Sequence, residues 1–287
     1  LISRIISSSK PSEIFTSDWL KEYREWALLI HPDRCHYSGC EEAFAKLTEF
    51  KRILERGIEF QDEICTITQK DKVLIFKGDR KYLENSYNNY QAIMASPEAA
   101  HSLAMCLPGG MVLNADNLEV HLRHRSISMI DLELEEKHSR WAFNRILGCA
   151  AMLNSISGYT HCGLNPAALM ICPDEHLIQI ISFYHTVPVY DKLKSIVGIH
   201  PYKGWYPDSI FSTKRASPEI DEAMSRRMAL YLLGDKSGDG IKLRTNTNIN
   251  TKFLDFILNK KFTSIQETWL KSLDYHLHIP KRHYIYD

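Results

Sequence analysis

The chain has 287 residues, of which 44% are hydrophobic and 24% are charged, so it is long enough to bury a full core and to form about two domains. Its 35 Lys and Arg residues balance 35 Asp and Glu residues, which excludes a global electrostatic field that would hold nucleic acid or a membrane surface. No run of about 18 apolar residues occurs, so we expect a soluble protein without a membrane partner.

The first predicted elements are two helices around a loop, because apolar side chains recur at helical spacing from about residue 17 to 56. From about 61 to 125 the pattern changes to a small mixed layer, with one helix near 81–95. Strands of this layer are predicted at 64–67, 73–76 and 118–122.

Long helical patterns dominate beyond about residue 130 and predict helices over 136–156 and 218–233. A strand pair at 169–172 and 177–181 interrupts them. The predicted fold class is therefore α+β.

The seven cysteines form no CxxC pair and no dense disulfide framework, which favours a reducing compartment and a cytoplasmic location. One group brings sulfur and imidazole ligands together within ten residues: His31, Cys35, His36 and Cys40. Zinc sites usually have closer and repeated ligand spacings. We therefore expect free cysteines in a loop, with no metal and no cofactor.

The loop between the first two predicted helices contains His31-Pro32-Asp33. Proline cannot donate a backbone hydrogen bond and forces the preceding residue out of helical geometry, so His31 and Asp33 are expected on a stiff, exposed bend. The stretch 13–56 resembles a J domain, the DnaJ-type co-chaperone module, in its Tyr-Arg-x-x-Ala-x-x-x-His-Pro-Asp-Arg sequence and in the following Glu42–Leu47. An ordinary helical hairpin is the alternative.

The resemblance implies a J-like domain over residues 1–60 that binds a DnaK-type chaperone and promotes its ATP hydrolysis and substrate capture. The residues implied to make this contact are His31, Pro32 and Asp33. In the family a basic helix face steers the encounter, and the candidates for it are Lys21, Arg24 and Arg34. Glu22 and Glu25 dilute this positive charge.

A second motif lies in residues 158–171, where a long predicted helix leads into a His-x-x-Leu-x-Pro loop, then a strand, a turn and a strand ending in x-Phe-x. This order is similar to the catalytic loop and metal-binding segment of a protein kinase. Trp205-Tyr206-Pro207-Asp208 resembles the end of the activation segment, and Asp221 resembles the aspartate that opens the central helix of the large lobe.

The kinase resemblance implies a bilobal domain with a reduced small lobe (N-lobe) over residues 61–125 and a mainly helical large lobe (C-lobe) over residues 126–287. An unrelated helical domain is the alternative. Aligned on the motif, the catalytic aspartate falls on Gly163, the metal-binding asparagine on Ala168 and the metal-binding aspartate on Ser182. None of these side chains replaces a carboxylate or amide ligand of magnesium. We therefore expect a pseudokinase and not an enzyme.

The nucleotide site is also reduced, because no GxGxxG precedes the strand at 73–76. Lys77 falls where the nucleotide-pairing lysine of the family would lie, with Glu84 as the nearest candidate for its ion-pair partner. A lysine at a strand end is more often solvated, so we do not expect nucleotide binding.

Three residues are expected to have structural roles in the kinase-like loop region: His161, Asp208 and Asp221. The resemblance implies that His161 bonds backbone, that Asp208 pairs with an arginine such as Arg244, and that Asp221 caps amides near His161. A nucleophile pair of Cys162 and His161 is disfavoured, because adjacent side chains rarely point at each other. His185 has no matched partner in the sequence.

The C-terminal stretch 241–287 carries eight Lys or Arg residues against four Asp or Glu residues. Aromatic side chains are interleaved with this charge, and such a surface can bind single-stranded nucleic acid. The aromatic and histidine residues concerned are Trp269, Tyr275, His283, Tyr284 and Tyr286. A solvated helical face is favoured instead, because apolar residues of this stretch recur at core spacing: Phe253, Phe256, Ile257, Leu270, Leu273 and Leu277.

A J domain joined to a kinase-like domain resembles chaperone-like proteins of bacteria and their viruses, which implies the host cytoplasm if the chain is viral. We expect an adaptor that recruits a DnaK-type chaperone, while the inactive kinase-like part binds an unidentified protein client. One alternative is an active phosphotransferase with atypical ligands, using Lys77 with Asp191 or Glu175. The other is a nucleic-acid-binding module using 241–287.

Overall fold

The computed structural model describes residues 1–9, 11–15, 19–246 and 248–276 of the chain. Helices are combined with small antiparallel sheets, so the predicted α+β class is confirmed. Among these residues, no helix has both the length and the apolar character needed to cross a membrane.

The N-terminal part contains three helices: α1 (Ile2–Ser7), α2 (Trp19–Leu29) and α3 (Cys40–Arg56). Apolar residues at helical spacing on α3 form the centre of a small core of their own. The buried members of this core are Ile5, Ile14, Phe15, Ile30, Ala43, Leu47 and Phe50. The two predicted helices are confirmed, although their predicted start near residue 17 lies outside the described residues, and α1 was not predicted.

The next part is a five-stranded antiparallel sheet with the strand order β1-β2-β3-β5-β4. Its strands are β1 (Ile58–Gln61), β2 (Cys65–Lys70), β3 (Val73–Gly78), β4 (Gly110–Leu113) and β5 (Leu118–His121). Burial alternates along the central strand β3, where Leu74 and Phe76 face the core. The connection from β3 to β4 contains α4 (Arg80–Met94) and α5 (Pro97–Ser102).

The remaining part is mainly helical and is built around α6 (Glu136–Met152), which is buried along most of its length. A π-helical turn, Leu153–Ser157, ends this helix before the loop at residues 161–165. The short strands of this part are β6 (Ile127–Ser128), β7 (Tyr159–Thr160), β8 (Leu169–Cys172), β9 (Leu177–Ile180) and β10 (Val187–Pro188). Its later helices are α7 (Ser209–Thr213), α8 (Pro218–Leu232), α9 (Thr251–Leu258) and α10 (Ile265–His276).

The sheet and the helical part share one continuous core that reaches from Cys65 to Ile265. The N-terminal helices have a separate core that ends at Phe50. Helix α10 packs against α6, where the close approach of Trp269 requires glycine: a Cβ atom at Gly148 would lie 2.9 Å from the indole nitrogen. Two candidate sites follow from this arrangement, one on each core.

Candidate functional site

The first candidate site is the bend that follows α2. The backbone amides of Arg34 and Cys35 both donate to the carbonyl oxygen of His31, which closes the turn around Pro32. The His31 ring packs edge-on against Phe44 of α3, with 5.0 Å between the ring centroids, and its Nδ1 accepts from the Asp33 amide at 3.2 Å. His31 is therefore anchored, while the Asp33 side chain is 87% exposed.

Helix α2 and the bend that follows it together carry exposed positive charge and exposed apolar groups. Lys21 and Arg24 are exposed on α2, and Arg34 is exposed beyond the bend. On the last turn of α2, Leu28 and Leu29 are 61% and 66% exposed. These two leucines place exposed apolar side chains directly before the bend.

The cysteines next to the bend correct one expectation. Cys35 and Cys40 form a disulfide with 6.1 Å between their Cα atoms, so the prediction of free cysteines at these two positions is wrong. Their sulfur atoms are bonded to each other and do not serve as zinc ligands beside His31 and His36. No group of three or more metal-ligating side chains lies within the described ranges of the chain. The other five cysteines are free and buried.

The second candidate site lies where the five-stranded sheet meets the helical part. The three positions that the kinase alignment singled out, Gly163, Ala168 and Ser182, line one cavity there. Its volume is about 10 Å³, which is about the space of one water molecule. The structure thus brings these residues together, in a cleft too small for a nucleotide.

The turn between β1 and β2 closes this cleft. The Asp62 carboxylate accepts from the amides of Ile64 and Cys65, which shapes the turn, and the Tyr184 hydroxyl donates to it at 2.9 Å. Burial raises the pKa of Asp62 above its usual value and raises the pKa of Tyr184 well above its own. Glu63 extends from the same turn, with its carboxylate 2.7 Å from His185 Nε2.

His185 also occupies the space beside Gly163. A Cβ atom at Gly163 would lie only 2.8 Å from His185 Cδ2, so the backbone here requires the absence of a side chain. An aspartate at this position has no room without displacement of the His185 ring. A carboxylate side chain at position 163 is therefore sterically excluded unless His185 moves.

Glu84, the candidate ion-pair partner of Lys77, does not pair with it. Lys77 is exposed at the end of β3, and Glu84 accepts from Arg80 of its own helix at 2.7 Å. An i,i+4 partner on the same helix is always within reach, which explains why Glu84 pairs locally. Asp191 and Glu175, the carboxylates of the phosphotransferase alternative, are exposed and do not line the cleft.

The loop at residues 161–165 is held by buried polar contacts. His161 Nε2 lies 2.7 Å from the carbonyl oxygen of Ser182, and burial lowers the pKa of this imidazole to about 4. Asp221 is fully buried and accepts from the amides of His161 and Cys162 at 2.9 and 2.8 Å. The predicted contacts of His161 with backbone and of Asp221 with these amides are confirmed. Burial raises the pKa of Asp221 to about 6.

The predicted pair of Asp208 and Arg244 is wrong. Both residues are exposed, and no ion pair joins them. Asp208 only precedes the five-residue helix α7, where its side chain makes no capping bond. In the loop that follows α8, a different carboxylate makes structural contacts. Asp235 is fully buried and accepts from the amides of Ser237 and Gly240.

The C-terminal helices present a solvated face with their aromatic groups turned inward over the described residues. Phe253, Phe256 and Ile257 are buried as predicted, and Tyr275 packs on Phe256 with 4.8 Å between the rings. The prediction that Leu270 joins the core is wrong, because it is 58% exposed on α10. Leu277, which was predicted at core spacing, and three residues of the nucleic-acid alternative, His283, Tyr284 and Tyr286, lie outside the described residues.

The sequence analysis did not predict one group of hydrogen-bonded polar residues around His185. His185 was expected to have no partner, but it bonds Glu63 through Nε2 and Ser195 through Nδ1, at 2.7 and 2.8 Å. Glu63 and His185 are 122 residues apart, so no local spacing signals their contact.

No family model matches the chain, and no curated protein matches it.

Proposed function

We propose that this chain is an adaptor that recruits a DnaK-type chaperone through the bend at residues 31–33 and binds a protein client through its larger, catalytically inactive part. The observation that carries the proposal is the geometry of the bend. His31 is fixed by its ring contact with Phe44 and by the Asp33 amide, while the Asp33 carboxylate remains in solvent. Such a preformed, exposed bend suits docking, because little conformational entropy is lost on binding.

The electrostatics of α2 support this role. Lys21 and Arg24 are exposed on α2 and Arg34 is exposed just beyond the bend, and these charges would steer an acidic surface of the chaperone toward this part of the chain. The exposed Leu28 and Leu29 add apolar area at the same place. Charge then governs the rate of association, and apolar burial contributes to the lifetime of the complex.

The layout of the larger part supports a kinase-like domain. A five-stranded antiparallel sheet has a helix after its third strand, as the resemblance implies for a small lobe, and the helical part contains the loop that Asp221 caps. The closed cleft and the steric exclusion of a side chain at Gly163 support a pseudokinase. These features disfavour the phosphotransferase alternative, which needs room for nucleotide and metal.

The test is single-turnover ATP hydrolysis by a panel of DnaK-type chaperones in the presence of the full chain. We expect the wild-type chain to stimulate hydrolysis and His31→Gln to reduce the rate to that of the chaperone alone. His36→Gln is the matched control, since it changes an exposed histidine of the same loop and is expected to keep full stimulation. Equal stimulation by all three chains, or none by the wild type with any chaperone, would contradict the proposal.

A further inference from the structure

Glu63, His185 and Ser195 form a continuous hydrogen-bonded chain. Glu63 Oε1 lies 2.7 Å from His185 Nε2, and Ser195 Oγ lies 2.8 Å from His185 Nδ1. The second oxygen of Glu63 accepts from the Gly198 amide at 2.7 Å, so the carboxylate is held at both ends. A hydroxyl on a histidine that a carboxylate orients is the arrangement that activates a nucleophile.

The carboxylate determines the role of each nitrogen. An ionised Glu63 only accepts hydrogen bonds, so His185 Nε2 must carry a proton toward it. In the neutral ring Nδ1 is then the free acceptor, and Ser195 donates its hydroxyl proton to it. The edges of Tyr82 and Tyr184 pack on the ring and hold its orientation.

The histidine and the carboxylate are buried, whereas the serine is more exposed to solvent. The side chains of His185 and Glu63 are 4% and 10% exposed, which protects the pair from bulk water. Ser195 is half-buried and lines two neighbouring surface cavities, of about 610 Å³ and 240 Å³. Ser195 therefore borders these surface cavities and does not line the closed cleft.

The larger cavity is positively charged. Lys81, Lys192 and Lys194 line it, and none of them forms an ion pair with any other residue that the structure describes. The smaller cavity has apolar walls from Leu193, Ile196 and Phe211. The two cavities together suit a molecule with an apolar portion and an anionic group.

We propose that Ser195 is a nucleophile toward carboxylic esters that carry an anionic group, with His185 as its base and Glu63 as a positioning residue. In the first step the Oγ proton passes to His185 Nδ1, an Oγ–carbon bond forms, and the ester carbon–oxygen bond breaks. The leaving alcohol takes the proton from Nδ1. Water then cleaves the acyl-serine, which releases the carboxylic acid and restores Ser195.

This activity is separate from the proposed adaptor role and does not depend on it. The test uses the full chain and a rhodamine-tagged alkyl fluorophosphonate, which forms an Oγ–phosphorus bond with loss of fluoride. We expect mass spectrometry to find the tag on Ser195. Ser195→Ala should abolish labelling, and Ser212→Ala, which changes a nearby serine without a histidine partner, should not alter it. No labelling of the wild type, or labelling of another residue, would overturn the proposal.

Activation by the buried pair is tested separately. His185→Gln should slow labelling about 100-fold, in the range for loss of a general base. If this variant does not fold, the proposal is still tested by which residue of the wild type carries the fluorophosphonate tag. Glu63→Ala should slow labelling and Glu63→Asp should restore part of the rate, with equal melting temperatures for both. An unchanged rate in folded His185→Gln would show that Ser195 is not activated.

The preference for an anionic group is tested with two fluorophosphonates that differ only in a terminal carboxylate or its methyl ester. The carboxylate probe should label Ser195 roughly 10-fold faster, as expected for about 1.4 kcal/mol of attraction near a protein surface. The double variant Lys192→Gln/Lys194→Gln should abolish this difference. Equal rates for both probes on the wild type would overturn the assignment of substrate charge.

Discussion

The bend at residues 31–33 and the cleft at Gly163 differ in how their polar groups are used. At the bend, ring and backbone contacts fix His31, and the Asp33 carboxylate is 87% exposed, with one oxygen 3.5 Å from His31 Nδ1. In the cleft, the Asp62 carboxylate accepts from two backbone amides of its own turn and from the Tyr184 hydroxyl. A site whose polar groups are already paired inside the fold has little left for a ligand, whereas an anchored and open site keeps its binding groups available.

The largest effect is expected from introducing a carboxylate into the cleft. Gly163→Asp places a Cβ atom 2.8 Å from His185 and buries a charge, so we expect a loss of about 4 kcal/mol or more in the free energy of unfolding. Urea denaturation measures it. Gly204→Asp, at an exposed glycine with no heavy atom within 4 Å of its Cβ position, is the control and should change little. Restored MgATP binding in Gly163→Asp/Ala168→Asn/Ser182→Asp would contradict the closed cleft.

The two cores give the next prediction. Leu47 is fully buried in the N-terminal core, so Leu47→Ala should destabilise that core by about 3 kcal/mol. Because the larger core does not include this residue, its unfolding should be unchanged. Urea melts followed by fluorescence, in chains that keep only Trp26 or only Trp205, distinguish the two transitions. A shift of both transitions by the same amount would show that the cores unfold as one unit.

The buried Asp221 gives a prediction about pH. Its pKa rises from 3.8 to about 6, so its favourable contribution is complete below pH 3.8 and is lost as the pH rises through 6. This shift corresponds to about 3 kcal/mol. The difference in unfolding free energy between the wild type and Asp221→Asn should therefore move against the wild type by up to that amount between pH 4 and pH 7. A difference that is constant with pH would show that Asp221 is not a buried, titrating carboxylate.

The smallest effect is expected from the charges beside the bend. Lys21→Glu/Arg24→Glu should slow association with a DnaK-type chaperone about 10-fold at low salt, with less effect on dissociation. Surface plasmon resonance at two salt concentrations measures both rates. Lys260→Glu, at an exposed lysine far along the chain, should leave association unchanged. An equal effect of all these substitutions would indicate attraction by net charge alone.

The sequence predicted those helices and strands whose apolar residues recur at a regular spacing. Helices α4, α6 and α8 and the strand pair β8–β9 appear close to their predicted positions, because each has a regular apolar face. Strand β1 was missed, since its side chains are exposed or half-buried at the sheet edge and show no alternation. Helix α1 was missed because six residues give too short a pattern.

The candidate sites likewise contain some contacts that the sequence indicated and others that it did not. Gly163, Ala168 and Ser182 were singled out together by their alignment on the kinase motif, and they line one cavity because one loop and one hairpin carry them. The contact of Glu63 with His185 depends on how the β1–β2 turn folds over the helical part, which sequence spacing does not encode. The disulfide of Cys35 with Cys40 was missed for a related reason: the spacing does not show how the loop folds back between α2 and α3.

The most direct test of the central claim is hydrogen–deuterium exchange of the full chain, alone, with MgATP, and with a DnaK-type chaperone in MgATP. We predict that the chaperone protects peptides covering residues 19–36 and that MgATP alone leaves peptides covering 158–186 unchanged. Protection of 158–186 by MgATP, with no protection of 19–36 by the chaperone, would contradict an open docking bend and a closed cleft.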